Sequence, residues 1–135
     1  EVAAVKNTIA EAGQAQADTA ALLAAHPEIN VLLAFNEPTS VGAAAAVAQM
    51  GLSDRIYLVG FDSHAATVEG LQNGSVDALV VQNPYAMGYL GVESAYRLLA
   101  GQEAQLPTTV DTSTRVVTLD NLFSMDSQKA LFAFQ

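Results

Sequence analysis

The chain has 135 residues, 14 acidic against 5 basic side chains and a formal net charge of −9, a length that fits one domain with a real core. Hydrophobic residues make up 51% and charged residues 14%, against about 25% charged in an average globular domain, which excludes a disordered chain and a coiled coil. Five scattered basic residues cannot form the cationic stripe that nucleic acid requires, no apolar run approaches the roughly 20 residues of a membrane span, and the lack of cysteine removes disulfides, thiolate nucleophiles and thiolate metal sites.

Glu1 to Asn7 lack the basic start and apolar stretch of a signal peptide, which leaves a cytoplasmic protein or a chain that is not the whole translated product. Further along, Val2–Val5, Ile29–Phe35, Ile56–Val59 and Val76–Val81 are short, continuous apolar runs, the pattern of strands covered on both faces. Segments with helical period lie between them. With Thr39 and Ser40 as possible N-caps, Val41, Ala44, Ala45 and Ala48 fall on one face and Gly51 provides a stop. Ser63 can cap the next helix, which turns Val68 and Leu71 inward and ends at Asn73-Gly74. Asn83-Pro84 opens the clearest helix, with Met87, Leu90, Gly91, Ser94, Ala95 and Leu98 as its inward stripe and Gly101 as its stop. A polar connector, Gln102–Val110, leads to a last strand at Arg115–Leu119 and a terminal helix at Asp126–Phe134 with Leu131, Phe132 and Phe134 apolar.

Alternating strands and helices predict an α/β fold with a largely parallel sheet, in which ligands bind beyond the carboxyl ends of the strands. Three strands end in similar chemistry: Phe35-Asn36-Glu37, Phe61-Asp62-Ser63 and Gln82-Asn83. A carboxylate such as Asp62 accepts two hydroxyl protons at once, amides such as Asn36 and Gln82 both donate and accept, and phenyl faces cover the C–H face of a sugar ring. Together they form a set that reads polyols. Plainer roles are also open, with Asn36 and Asp62 as helix caps and Phe35 and Phe61 as core residues.

No catalytic set is legible. Asp62, Ser63 and His64 are adjacent in one turn and point in different directions, outside any Gly-x-Ser-x-Gly elbow. His26 and His64 are too far apart for a local metal motif, and His26, before Pro27, reads as a solvated helix end. Neither a Gly-x-Gly-x-x-Gly nor a Walker loop occurs. The expectation is a protein that is not an enzyme, with no catalytic residue, no metal and no cofactor.

Leu22-Leu23-Ala24-Ala25-His26-Pro27-Glu28-Ile29, Ala34-Phe35-Asn36-Glu37, Val59-Gly60-Phe61-Asp62 and Val81-Gln82-Asn83-Pro84-Tyr85 with Met87-Gly88-Tyr89 resemble, in order and spacing, the second half of the type I periplasmic sugar-binding proteins of ABC transporters, the ribose-binding group above all. Asp111-Thr112 to Thr118-Leu119 resembles the closing strand of that family. The resemblance implies two Rossmann-like lobes joined by three hinge crossings that close on a sugar. It implies Asn36, Phe61, Asp62 and Gln82 as ligand contacts, Gln82 lying at a hinge, a membrane permease as partner and a periplasmic location. Where the family often places a ring-stacking aromatic, this chain reads Ile9-Ala10-Glu11-Ala12-Gly13-Gln14.

By the same resemblance, 1–82 is part of the C-terminal ligand-binding lobe, 83–110 a helix and connector belonging to the other lobe, and 111–135 the return strand and tail. The parallel-sheet, Rossmann-like lobe is then incomplete, and the stripe of the 84–100 helix needs a complementary fragment or a second copy to cover it. The effector domain of a lactose-repressor-family regulator, which shares the fold, is the alternative.

Overall fold

The computed structural model describes residues 1–132. Its elements run α1 (Ala12–Ala25), β1 (Val31–Leu33), α2 (Glu37–Gln49), β2 (Tyr57–Phe61), α3 (Ala65–Asn73), β3 (Ala78–Val81), α4 (Pro84–Leu99), β4 (Arg115–Thr118) and α5 (Met125–Leu131). The sheet order is β1-β2-β3-β4, with β1, β2 and β3 parallel and β4 antiparallel to β3. The α/β architecture and the dominant parallel pairing match the expectation. The last strand reverses because it returns from α4 beside β3.

Cross-strand register places Leu32, Leu58, Leu79, Val81 and Val117 on one face of the sheet. There they join Ala43 of α2, Val68 and Leu71 of α3 and Leu131 of α5 in the main core. A second cluster of Leu23, Ile29, Val47 and Ile56 joins α1 and α2 to the entry of β2. The opposite face differs from the sequence expectation: Val31 is 52% exposed and Val116 55%, and Leu33 and Tyr57 are similarly open. Continuous apolar runs signal two covered faces only if a second layer exists, and among the described residues these strands have one.

Val2–Val5 is a further correction, because it forms no strand and Val2 and Val5 are exposed. A strand needs a neighbour to take its backbone N–H and C=O groups, and β1, the sheet's edge, pairs with β2 alone. The segment is held at Lys6, whose Nζ lies 3.4 Å from Asp18 of α1. A hydrogen bond from Thr8, with further ones from Gln14 and Lys6, holds the Asp18 carboxyl below its ordinary value of 3.8.

The starts of α2 and α3 differ from the sequence expectation. Asn36, not Thr39 or Ser40, caps α2, and the buried face is Ser40, Gly42, Ala43, Ala46 and Val47 in place of the predicted Val41, Ala44, Ala45 and Ala48. An alanine-rich helix is apolar all round, so shifting the cap by three residues rotates the inferred stripe without any polar residue to mark the error. His64, not Ser63, caps α3, its Nδ1 accepting from the Ala66 N–H at 3.1 Å. Val68 and Leu71 are buried as predicted, and Gly74 ends α3 at φ 80°. Asn83 caps α4 with Pro84 at its start, also as predicted. No residue of α4 is buried, and Met87 and Leu98 of the predicted stripe are exposed while Leu90 and Ser94 are partly so. The predicted last helix runs Met125–Leu131, and its continuation through 133–134 lies outside the described residues.

Candidate functional site

The carboxyl ends of β1, β2 and β3 carry Phe35-Asn36, Phe61-Asp62 and Gln82 along one edge of the sheet. Asp62 and Gln82 meet directly, Gln82 Nε2 donating to Asp62 Oδ1 at 3.3 Å. Asp62 is not a helix cap, since His64 performs that function, and its backbone sits at φ 66°, the left-handed region in which it is the only non-glycine residue among those described. Holding a residue there costs of order 1 kcal/mol or more, and such conformations cluster where a ligand is gripped. The Asp62 N–H is anchored to the Val80 carbonyl at 3.0 Å, fixing the turn that aims the carboxylate.

Asn36 performs the plainer role that was open to it. Its Oδ1 accepts from the Thr39 N–H at 3.0 Å and the Thr39 hydroxyl at 2.8 Å, closing a capping box. That bonding commits the amide oxygen and orients Nδ2 as the group left to donate to a ligand. Phe35 and Phe61 meet with ring centroids 5.7 Å apart and planes tilted by 50°. Phe35 is 70% exposed and Phe61 partly so, which removes Phe35 from the core and leaves an aromatic pair at the mouth.

Sequence reasoning missed Ser40. Read as an N-cap, it is a buried residue one turn into α2 whose hydroxyl donates to the Asn36 carbonyl at 2.7 Å and accepts from the Phe61 N–H at 2.8 Å. The signal was the four-residue spacing from Asn36, which puts a helix serine over its own cap, opposite a glycine at 60.

Four of the five basic residues are engaged by partners outside the strand-end set. Lys6 pairs with Asp18, Arg97 with Glu93, and Arg115 with Asp126 and Ser127, while Arg55 donates to the Pro27 carbonyl. Lys129 lies in the last turn of α5. Among the described residues, no group of three or more His, Cys, Asp or Glu could hold a metal ion. The strand ends therefore offer a carboxylate, two amides and two phenyl rings, an array that hydrogen-bonds hydroxyls and covers an apolar ring face.

One expected outcome separates the capping role of Asn36 from the ligand contact expected of it. Asn36→Ser keeps a good capping oxygen but deletes the amide donor, so melting should stay within about 0.5 kcal/mol of the parent while ligand affinity falls several-fold, whereas Asn36→Ala should lose about 1 kcal/mol of stability as well. Thermal melting and titration calorimetry on the same samples check this.

The sequence pattern of the periplasmic binding protein domain matches residues 1–103. The ribose import binding protein RbsB of Escherichia coli K12 is 34% identical over 90 residues, which cover 67% of this chain and 30% of that protein. The D-ribose/D-allose-binding protein of Pseudomonas aeruginosa is 33% identical over 110 residues, covering 80% and 34%. The crystal structure of a carbohydrate transporter solute-binding protein from Agrobacterium radiobacter in complex with D-arabinose superimposes with a TM-score of 0.87 at 31% identity, over 97% of this chain and 44% of that one. The chain spans about a third of the length of the curated relatives it matches.

Proposed function

The chain belongs to the periplasmic binding protein family, in the type I sugar-binding group that its motifs resemble, and we propose that it binds a neutral sugar or polyol as part of the solute-binding component of an ABC importer. The observation that carries this reading is Asp62, held in a left-handed turn at a strand end with Gln82 against its carboxylate. A carboxylate with spare lone pairs accepts adjacent hydroxyls, and Arg115, opposite Val81 at this edge, is engaged by Asp126 and Ser127, which leaves little counter-charge for a sugar acid or phosphate. Asn36 supplies a donor, and Phe61, with Phe35 beside it, faces the C–H side of the ring.

The likeness to relatives two to three times as long supports a second lobe across the site. Residues 1–82 then belong to the C-terminal lobe, 83–110 to the other lobe and 111–135 to the returning strand and tail. Gln82 and Asn83 follow β3, and Asn83 Nδ2 reaches Ser113 Oγ of the returning segment at 3.4 Å, which supports a reading with two crossings side by side. Closure about them is a population shift: a sugar that touches both lobes favours the closed state, which a membrane permease reads at the periplasmic face. The exposed helix α4 is covered by the lobe to which it belongs.

Thermal-shift measurements on the full-length protein against D-ribose, D-allose, D-arabinose, D-tagatose and D-glucuronate test the reading. A ligand that binds only the native state raises the melting temperature with concentration. At least one neutral sugar is expected to do so and glucuronate is not; a shift with glucuronate alone, or with none, contradicts the proposal.

A further inference from the structure

We propose that Ser40 is a positioning residue for the ligand, locking the ends of β1 and β2 at the spacing at which Asn36 and Asp62 grip the same sugar; this rests on the sugar-binding reading above. The parallel ladder between the two strands runs as far as the Ala34 N–H, which donates to the Val59 carbonyl at 2.9 Å. One step further out, a side chain takes over: the Phe61 N–H donates to Ser40 Oγ at 2.8 Å, and the Ser40 hydroxyl donates to the Asn36 carbonyl at 2.7 Å. A helix serine that bonds back to the carbonyl four residues earlier is common and needs no second partner. Here a second partner comes from another strand, and the two partners are the backbones of residues at the mouth.

Ser40 is 1% exposed, so its hydroxyl bonds to protein partners and not to bulk water. Its fit depends on Gly60, where a Cβ would stand 3.1 Å from both Cβ and Oγ of Ser40 and 3.0 Å from Leu79 Cδ2. α2, β2 and β3 thus close in on Gly60, beside the hydroxyl. Without it, the part-buried Phe61 N–H loses its side-chain partner and the two strand ends lose their only polar link beyond the ladder among the described residues. A binding group held loosely by its supporting residues loses affinity even when it is itself intact.

The test is titration calorimetry on the full-length protein with the tightest-binding of the neutral sugars above, using Ser40→Ala, Asn36→Ala and the double variant. Ser40→Ala should unfold in one cooperative transition and bind about tenfold more weakly. Because Ser40 acts in part through Asn36, its loss in the Asn36→Ala background should shrink to about threefold or less. A purely structural serine would lower the melting temperature in both backgrounds and leave no such coupling in affinity. Parent-like affinity in Ser40→Ala, or an undiminished tenfold loss in the double variant, overturns the inference. If Ser40→Ala fails to fold, Ser40→Cys, which replaces the hydroxyl by a slightly larger and weaker hydrogen-bonding group, is read the same way: a weaker Kd is expected and an unchanged one overturns it. A parent protein that binds none of the sugars removes the sugar-binding reading and this inference together, whereas sugar binding by the parent with an unaffected Ser40 variant removes this inference alone.

Discussion

Asp62→Ala is expected to weaken sugar binding by the full-length protein by about ten- to a hundredfold, since a carboxylate that accepts hydroxyl protons contributes about 1.5–3 kcal/mol through each charge-assisted bond. The cause lies at the end of β2. The carboxylate is set by a backbone at φ 66°, and Gln82 occupies one of its oxygens at 3.3 Å without exhausting its lone pairs. Stability should move differently. Glycine adopts positive φ freely, so Asp62→Gly should keep or raise the melting temperature while losing the same affinity. Asp62→Asn, which tolerates the left-handed region and preserves shape, should fall between parent and alanine. Calorimetric titration alongside melting curves reads both quantities. Parent-like affinity in Asp62→Ala would remove this residue from the site.

The largest stability effect is expected at Gly42, where α1 and α2 cross. A Cβ there would stand 2.4 Å from the Ala12 backbone oxygen, 2.7 Å from Ala15 Cβ and 2.7 Å from the Gln16 nitrogen. Two of those three atoms belong to the α1 backbone and cannot rotate away. In an exposed helix interior, glycine to alanine stabilises by about 0.5–1 kcal/mol, but here the overpacking cost of about 1–3 kcal/mol or more opposes it. Gly42→Ala should therefore lose about 2 kcal/mol and several degrees of melting temperature, because separating the helices also loosens Leu23 against Val47 and Ile56. Gly13, with no atom within 4 Å of its Cβ position, is the control: the same substitution should stabilise slightly. A stable Gly42→Ala would show that the helices do not approach so closely.

Fold class and strand ends were legible because they rest on strong local signals. Apolar runs bounded by Asn, Asp and Gln mark where β1 to β3 stop, and Asn83-Pro84 and Asn73-Gly74 punctuate helices through fixed backbone chemistry. The buried face of α2 and the cover of the open sheet face are not legible. The alanines of α2 carry no contrast between sides, so its buried stripe had to come from contact with α1 and β2. Val31, Leu33 and Val116 are apolar yet half-exposed, because hydrophobicity records what a surface is suited to meet and not what covers it in the described residues. Among the site residues, Asn36, Phe61, Asp62 and Gln82 were readable as chemistry at strand ends. Ser40 was not, since its role depends on a hydrogen bond spanning 21 residues of sequence. The resemblance to sugar-binding proteins, carried by the order of motifs, is matched by the family comparison over residues 1–103.

A crystal structure of the full-length protein with its sugar bound is the most direct measurement of the central claim, that these strand ends hold the ligand. The expected result is a neutral sugar with two hydroxyls about 2.5–3.0 Å from the Asp62 carboxylate, Asn36 Nδ2 and Gln82 bonding neighbouring oxygens, and a ring face against Phe61. A sugar seated elsewhere, with Asp62 turned to solvent and Asn36 acting only as a helix cap, would contradict it.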